Sequence, residues 1–219
     1  MEQINGNKRK RSDDEMTVLG DPIKIVLLGN SAIGKSTLFH KMTQLTNKNY
    51  KFPKTHCATD NFDFDRINLS TNQGIIIIDL WDTAGQENKG GKLRDAYLKG
   101  ADGILLLYDV KQPLSASNIP KWLEQVKKVS PNIPVAVLGN KSENIETLQQ
   151  NESVKIRDVN LYRDVGHKKI KNYLVSIKED THIVTSTGFF SSSIKTVPGC
   201  LVGLEYILST IFSQPITMS

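Results

Sequence analysis

Short apolar runs alternate along this chain with segments whose apolar positions recur at helical spacing. Ile23–Leu28 is a compact apolar run closed by Gly29 and reads as a buried strand. Lys35–Leu45 places Leu38, Phe39, Met42 and Leu45 on one helical face. Phe62–Leu69 alternates and is rich in β-formers, and Thr71-Asn72-Gln73-Gly74 predicts a hairpin turn into a strand at Ile75–Trp81. Gly103–Val110 and Pro134–Leu138 are further buried strands. Ser115 can cap a helix running to about Val129 with Ile119, Trp122, Leu123 and Val126 as its core face, its start delayed by Pro120. Gly199–Phe212 is the final helix. Strands alternating with helices predict an α/β fold, a mostly parallel six-stranded sheet with helices on both faces. The Phe62–Trp81 hairpin contributes one antiparallel edge strand.

Two stretches lie outside this rhythm. Residues 1–20 are polar and charged and are expected to be a disordered leader, with order beginning near Pro22. Residues 144–188 are polar and Lys-rich without sharp caps, an enlarged region with a helix expected around Lys168–Lys178. One domain over 21–213 and a short tail over 214–219 complete the division. A chain of 219 residues with 38% hydrophobic content suffices for one such core.

Charge and cysteines narrow the function classes. The net charge of +5 includes the run Lys8-Arg9-Lys10-Arg11, which reads either as a solvated tail or as an import signal or phosphate-binding arm. Without this run the balance is ordinary, so no direct nucleic-acid binding is expected. Cys57 and Cys200 suggest neither a disulfide framework nor a metal site, which fits a reducing compartment. No apolar run approaches the roughly 18 residues of a membrane helix. Neither Met1-Glu2-Gln3 nor Ile216-Thr217-Met218-Ser219 carries a lipidation pattern, and no anchor is expected.

The sharpest chemical signal is Gly29-Asn30-Ser31-Ala32-Ile33-Gly34-Lys35-Ser36, a G-x-x-x-x-G-K-[ST] phosphate loop between a buried strand and an amphipathic helix. Its glycines allow main-chain N–H groups to turn toward phosphate oxygens, and the helix N-terminus adds partial positive charge. Lys35 is expected to reach the β- and γ-phosphates and the Ser36 hydroxyl to bind Mg²⁺, with Thr37 completing the nucleotide-binding stretch.

After the third strand comes Trp81-Asp82-Thr83-Ala84-Gly85-Gln86-Glu87, which resembles without departure the W-D-T-A-G-Q-E of the Ras superfamily. The resemblance implies a P-loop G domain that binds GTP or GDP with Mg²⁺. It implies that Asp82 holds Mg²⁺ through water, that the Gly85 N–H bonds the γ-phosphate and that Gln86 orients the attacking water. In the polar stretch between the motifs, Thr55 and Thr59 compete as the threonine of the first switch. Thr59 is preferred because Thr59-Asp60-Asn61-Phe62-Asp63-Phe64 resembles the Rab pattern T-I-G-V-D-F, with Asn61 where the family has Gly. Phe52 falls where the family stacks an aromatic on the guanine edge. Asn140-Lys141-Ser142-Glu143 resembles N-K-x-D, with Glu143 in the place of the Asp that accepts two hydrogen bonds from guanine. The family's S-A-K has two candidates: Ser193-Ile194-Lys195, preferred for its register into the last helix, and Ser176-Ile177-Lys178.

Gly90-Gly91-Lys92-Leu93-Arg94-Asp95-Ala96-Tyr97 and Asn118-Ile119-Pro120-Lys121-Trp122 resemble segments of Ran, whereas Lys99–Ile104 and Ser31 are similar to Rab. The resemblance implies a slow, monomeric GTPase, intracellular in cytoplasm or nucleus, with catalytic roles for Gln86, Lys35 and Thr59. Metal contacts fall to Ser36, Thr59 and Asp82. It also implies an exchange factor, a GTPase-activating protein and effectors, in nucleocytoplasmic transport or vesicle traffic. A nucleotide-holding adaptor without catalysis is the alternative that the departures at Ala32, Asn61 and Glu143 suggest. An ATPase or kinase built on the same loop is a third.

Overall fold

The computed structural model describes residues 17–53, 59, 62–85, 91–109, 111–141, 187–191 and 197–218. Its six strands are β1 (Ile23–Leu28), β2 (Phe62–Thr71), β3 (Gly74–Thr83), β4 (Gly103–Asp109), β5 (Val135–Asn140) and β6 (Thr187–Ser191). They form one sheet in the order β2-β3-β1-β4-β5-β6. β2 runs antiparallel to β3, from Phe62 opposite Thr83 to Thr71 opposite Gly74, and every other pairing is parallel. The helices are α1 (Lys35–Thr46), α2 (Gly91–Leu98), α3 (Pro113–Ser117), α4 (Ile119–Val129) and α5 (Val197–Phe212).

The period-2 alternation of strand side chains divides the core into two layers. Ile25 and Leu27 of β1 join Leu105, Leu107 and Leu138 on one face, where Leu38, Phe39 and Met42 of α1 and Leu204, Ile207 and Leu208 of α5 cover them. Val26 and Leu28 point the other way, with Ile104, Leu106 and Val137, beneath Trp122, Leu123 and Val126 of α4. β4, buried along its whole length, lies between β1 and β5 with helices on both sides. That position explains its unbroken apolar run.

The expected helix from Ser115 to Val129 is instead two helices meeting at Asn118. Pro120 occupies the first turn of α4, where its missing N–H costs no helical bond. Ser115 is no helix cap: its hydroxyl accepts the Asp109 N–H at 3.0 Å and donates to the Gln112 carbonyl at 2.7 Å, closing the turn after β4. The sixth strand is β6, which pairs with β5 from Thr187 opposite Val135 to Ser191 opposite Gly139. α2 has no counterpart in the sequence reading. The expected helix around Lys168–Lys178 lies outside the described residues.

Order also begins ahead of Pro22. The Leu19 N–H donates to the Ile75 carbonyl at 2.8 Å, and the Ile75 N–H donates to the Thr17 carbonyl at 2.9 Å. The last residues return to the same turn. Asn72 N–H donates to the Thr217 carbonyl at 3.0 Å, Thr217 N–H donates to Asn72 Oδ1 at 3.1 Å, and Ile216 is 2% exposed in the layer shared with α1 and α5. Ile216→Ala is therefore expected to destabilise the fold by about 2–5 kcal/mol in urea unfolding. An unshifted midpoint would show that the C-terminal segment does not belong to the core.

Candidate functional site

The chain leaves β1 toward one side of the sheet, through α1 to β2 and β3, and leaves β3 toward the other side, to β4. Ligand crevices in open α/β sheets form outside the strand C-termini at such a divergence. Here it holds the loop from Gly29 to Gly34. Gly29 has φ 131° and Gly34 φ 100°, conformations closed to most side chains. A Cβ on Gly29 would lie 2.3 Å from the Leu107 carbonyl oxygen of β4. Ala32 adopts φ 59°, left-handed backbone that costs a residue with a Cβ on the order of 1–3 kcal/mol and is held by its surroundings.

Those surroundings act on the loop's carbonyls. Lys35 Nζ donates to the Gly29 oxygen at 3.0 Å and to the Asn30 oxygen at 2.7 Å. Lys141 Nζ reaches the Ala32 oxygen at 2.9 Å, and Asn140 Nδ2 reaches the Ile33 oxygen at 2.7 Å. The Gly34 oxygen accepts the first bond of α1, from the Leu38 N–H at 3.0 Å. In a trans peptide the N–H lies opposite the C=O. Holding these carbonyls fixes the direction of the N–H groups that follow them, at the N-terminus of α1, where anions are favoured.

Lys35 and Asp82 supply the charge. Lys35 is 5% exposed, and burial lowers its ammonium to about 8, opposed by the negative charge of Asp82. Asp82, at the end of β3 and in register with Leu27 of β1, is 0% exposed. Burial pushes its carboxyl up, while hydrogen bonds from Ser36 and Thr59 and the charge of Lys35 pull it down. Ser36 Oγ lies 3.1 Å from Thr59 Oγ1, which in turn donates to Asp82 Oδ2 at 3.1 Å. Among the described residues, Asp82 Oδ1 is buried without a hydrogen-bond partner. Two hydroxyls and a carboxylate with one unsatisfied buried oxygen form a hard-oxygen set of the kind that Mg²⁺ takes. The residues fit that ion.

The loop is closed from the β3 side by Gly85, where a Cβ would fall 2.5 Å from the Asn30 oxygen, the Ser31 nitrogen and Lys35 Nζ. Only a glycine fits that approach. Asn140 and Lys141 leave the end of β5, and Lys141, at φ 63°, also pairs with Asp109 Oδ2 at 2.8 Å. Phe52 lies edge-on to His40 of α1 with ring centres 5.6 Å apart and is 38% exposed. His40 also meets Tyr50, Nδ1 to hydroxyl, at 2.6 Å. Gln86, Glu143, Thr55, Ser193–Lys195 and Ser176–Lys178 lie outside the described residues.

The Ras family profile matches residues 24–194. The chain belongs to the Ras family. Among curated relatives, the "Ras-related protein YPT3" of Nicotiana plumbaginifolia is 37% identical over 134 residues, 61% of this chain and 57% of the relative. The "Ras-related protein RABA1c" of Arabidopsis thaliana is also 37% identical over 134 residues, 61% of this chain and 58% of its own length. The match thus spans under three fifths of either relative. Of the two, RABA1c carries a Rab name.

Three residues that support this Ras-family site were not singled out for it by the sequence. Thr83 donates its hydroxyl to the Leu27 carbonyl at 2.7 Å and joins the ends of β3 and β1. Asp109, 2% exposed at the end of β4, holds Lys141. Trp122 of α4 donates its indole N–H to Asn30 Oδ1 at 3.0 Å. Asp109 left a trace in the sequence, a carboxylate closing an apolar run. Trp122 left none, since its position on the apolar face of α4 accounts for it fully. Asn140→Ala would leave the buried Ile33 carbonyl without its donor and is expected to cost about 1–3 kcal/mol in urea unfolding. Unchanged stability would remove Asn140 from the set that shapes the loop.

Proposed function

We propose that the protein is a guanine-nucleotide switch that binds GTP or GDP and slowly hydrolyses GTP. The observation that carries this reading is the convergence of Ser36, Thr59 and the unsatisfied Asp82 Oδ1 beside a loop whose carbonyls are held by Lys35, Asn140 and Lys141. In this reading the main-chain amides of Asn30–Ser36 and the Lys35 ammonium bind the phosphates. Ser36, Thr59 and Asp82 hold Mg²⁺, which neutralises phosphate charge when bound. Thr59 and Gly85 approach the terminal phosphate from two sides, so losing that phosphate releases two chain segments at once. Asn140, Lys141 and Glu143 face the base, with Ser193–Lys195 as a further contact and Phe52 packing on its edge. The Glu143 carboxylate accepts from the paired donors of guanine, which adenine lacks.

Gln86 orients the attacking water, and Lys35 stabilises charge on the transferring group. The described residues supply no arginine to the cradle, so intrinsic turnover is on the order of 10⁻⁴ s⁻¹ and an activating protein accelerates it. A partner surface beside the switch supports the expectation of effectors. Phe62 and Phe64 are 42% and 47% exposed, and Phe62 stacks on Trp81 at 5.0 Å and meets Tyr97 at 5.3 Å. This patch adjoins Asp82 and Thr83, so the state of the nucleotide reaches it directly. The Rab-named relative favours vesicle traffic over nucleocytoplasmic transport.

The nucleotide that co-purifies with the full chain tests the reading. GDP or GTP in near-stoichiometric amount is expected, and an adenine nucleotide or none would overturn it. Asp82→Ala is expected to weaken the Mg²⁺ dependence of GTP binding by about 10–100-fold. Equal Mg²⁺ dependence in the variant would take Asp82 out of the metal site. Gln86→Leu should slow single-turnover hydrolysis far more than it weakens GTP affinity. A wild-type chain that binds GTP but releases no phosphate, even with activating proteins, would favour the adaptor.

A further inference from the structure

Four groups hold the loop from Gly29 to Ile33: Lys35, Asn140 and Lys141 from the site motifs, and the Trp122 indole from outside them. Trp122 is 4% exposed, its ring set in the layer formed by Val26, Leu28, Ile104 and Leu106. Its indole N–H donates across 92 residues to Asn30 Oδ1 at 3.0 Å. A buried indole N–H must find an acceptor. The ring is fixed by the core of the sheet, whereas Asn30 sits on a loop, so position passes from Trp122 to Asn30.

Asn30 is also where the loop meets the reacting end of the site. Its carbonyl takes the shorter of the two Lys35 bonds, at 2.7 Å. The Asn30–Ser31 peptide is the surface against which Gly85 closes. We propose that Trp122 is a positioning residue for the phosphate loop. By fixing the Asn30 side chain it keeps the Asn30–Ser31 peptide in register with Lys35 and Gly85 and slows nucleotide release. This inference rests on the reading of Gly29–Thr37 as a guanine-nucleotide phosphate loop.

Release of GDP carrying a ribose fluorophore, chased with excess unlabelled GDP in Mg²⁺ buffer, tests it on the full chain. Asn30→Ala removes the acceptor without touching the core, whereas Trp122→Phe removes the N–H together with part of the buried indole. Each is expected to release GDP about tenfold faster, the worth of one part-buried hydrogen bond. The double variant should release no faster than Trp122→Phe alone, because Asn30 then has no indole bond left to lose. Wild-type release from Asn30→Ala or from Trp122→Phe, or effects that multiply in the double variant, would overturn the positioning role while leaving the nucleotide reading intact. A wild-type chain that retains no labelled GDP overturns the nucleotide reading itself, and this inference with it.

Discussion

The direction of five carbonyl groups decides what this fold can bind. Main-chain amides make an anion site only when they point the same way, and a short loop left to itself does not hold them so. In this protein the carbonyls of Gly29, Asn30, Ala32, Ile33 and Gly34 each have a fixed partner, in Lys35, Lys141, Asn140 or the first turn of α1. The strained φ of Ala32 is held by the bonds to its own carbonyl and to that of Ile33.

Two of the partners, Asn140 and Lys141, come from a distant part of the chain, and the sheet brings them to the loop. β1 lies between β3 and β4, and β5 follows β4, so Asp82, Asp109 and Asn140 end their strands at one edge. The register places Leu27 beside Asp82 and Asp109 beside Asn140. The apolar layers on either face thus set the spacing of the polar groups at the strand ends. A core that is dense and rigid transmits that spacing faithfully. Burial then acts on the charges: Lys35 and Asp82 each resist ionisation alone and support it in the other.

Much of this was legible in the sequence, for identifiable reasons. β1 and α1 were read with nearly their observed bounds because Gly29 ends an apolar run and Gly34 precedes a periodic one. Thr59 was preferred over Thr55 by pattern, and the folded chain sets it against Ser36 and Asp82. The break at Asn118 was only half seen, because Pro120 was weighed as a delay within one helix and Ser115 as its cap. A serine bonded across a strand-to-helix turn looks in sequence like a serine that caps. α2 was missed because Gly91, Lys92 and Arg94 interrupt its apolar spacing. Lys141's partner Asp109 and Asn30's partner Trp122 lie 32 and 92 residues away, and no local pattern carries such pairings.

The two ends of the described chain arrive at one corner. Thr17–Leu19 and Pro215–Met218 both dock on the turn joining β2 to β3, while Phe62 and Thr83 stand at the opposite end of the same hairpin. Ten residues of β-strand separate the two places, roughly 30 Å at the usual rise per residue. Thr17 and Met218 therefore sit on the far side of the hairpin from Phe62 and Thr83, like a handle fitted opposite a blade. Cargo, fluorophore or surface linkage attached there leaves the working edge facing outward.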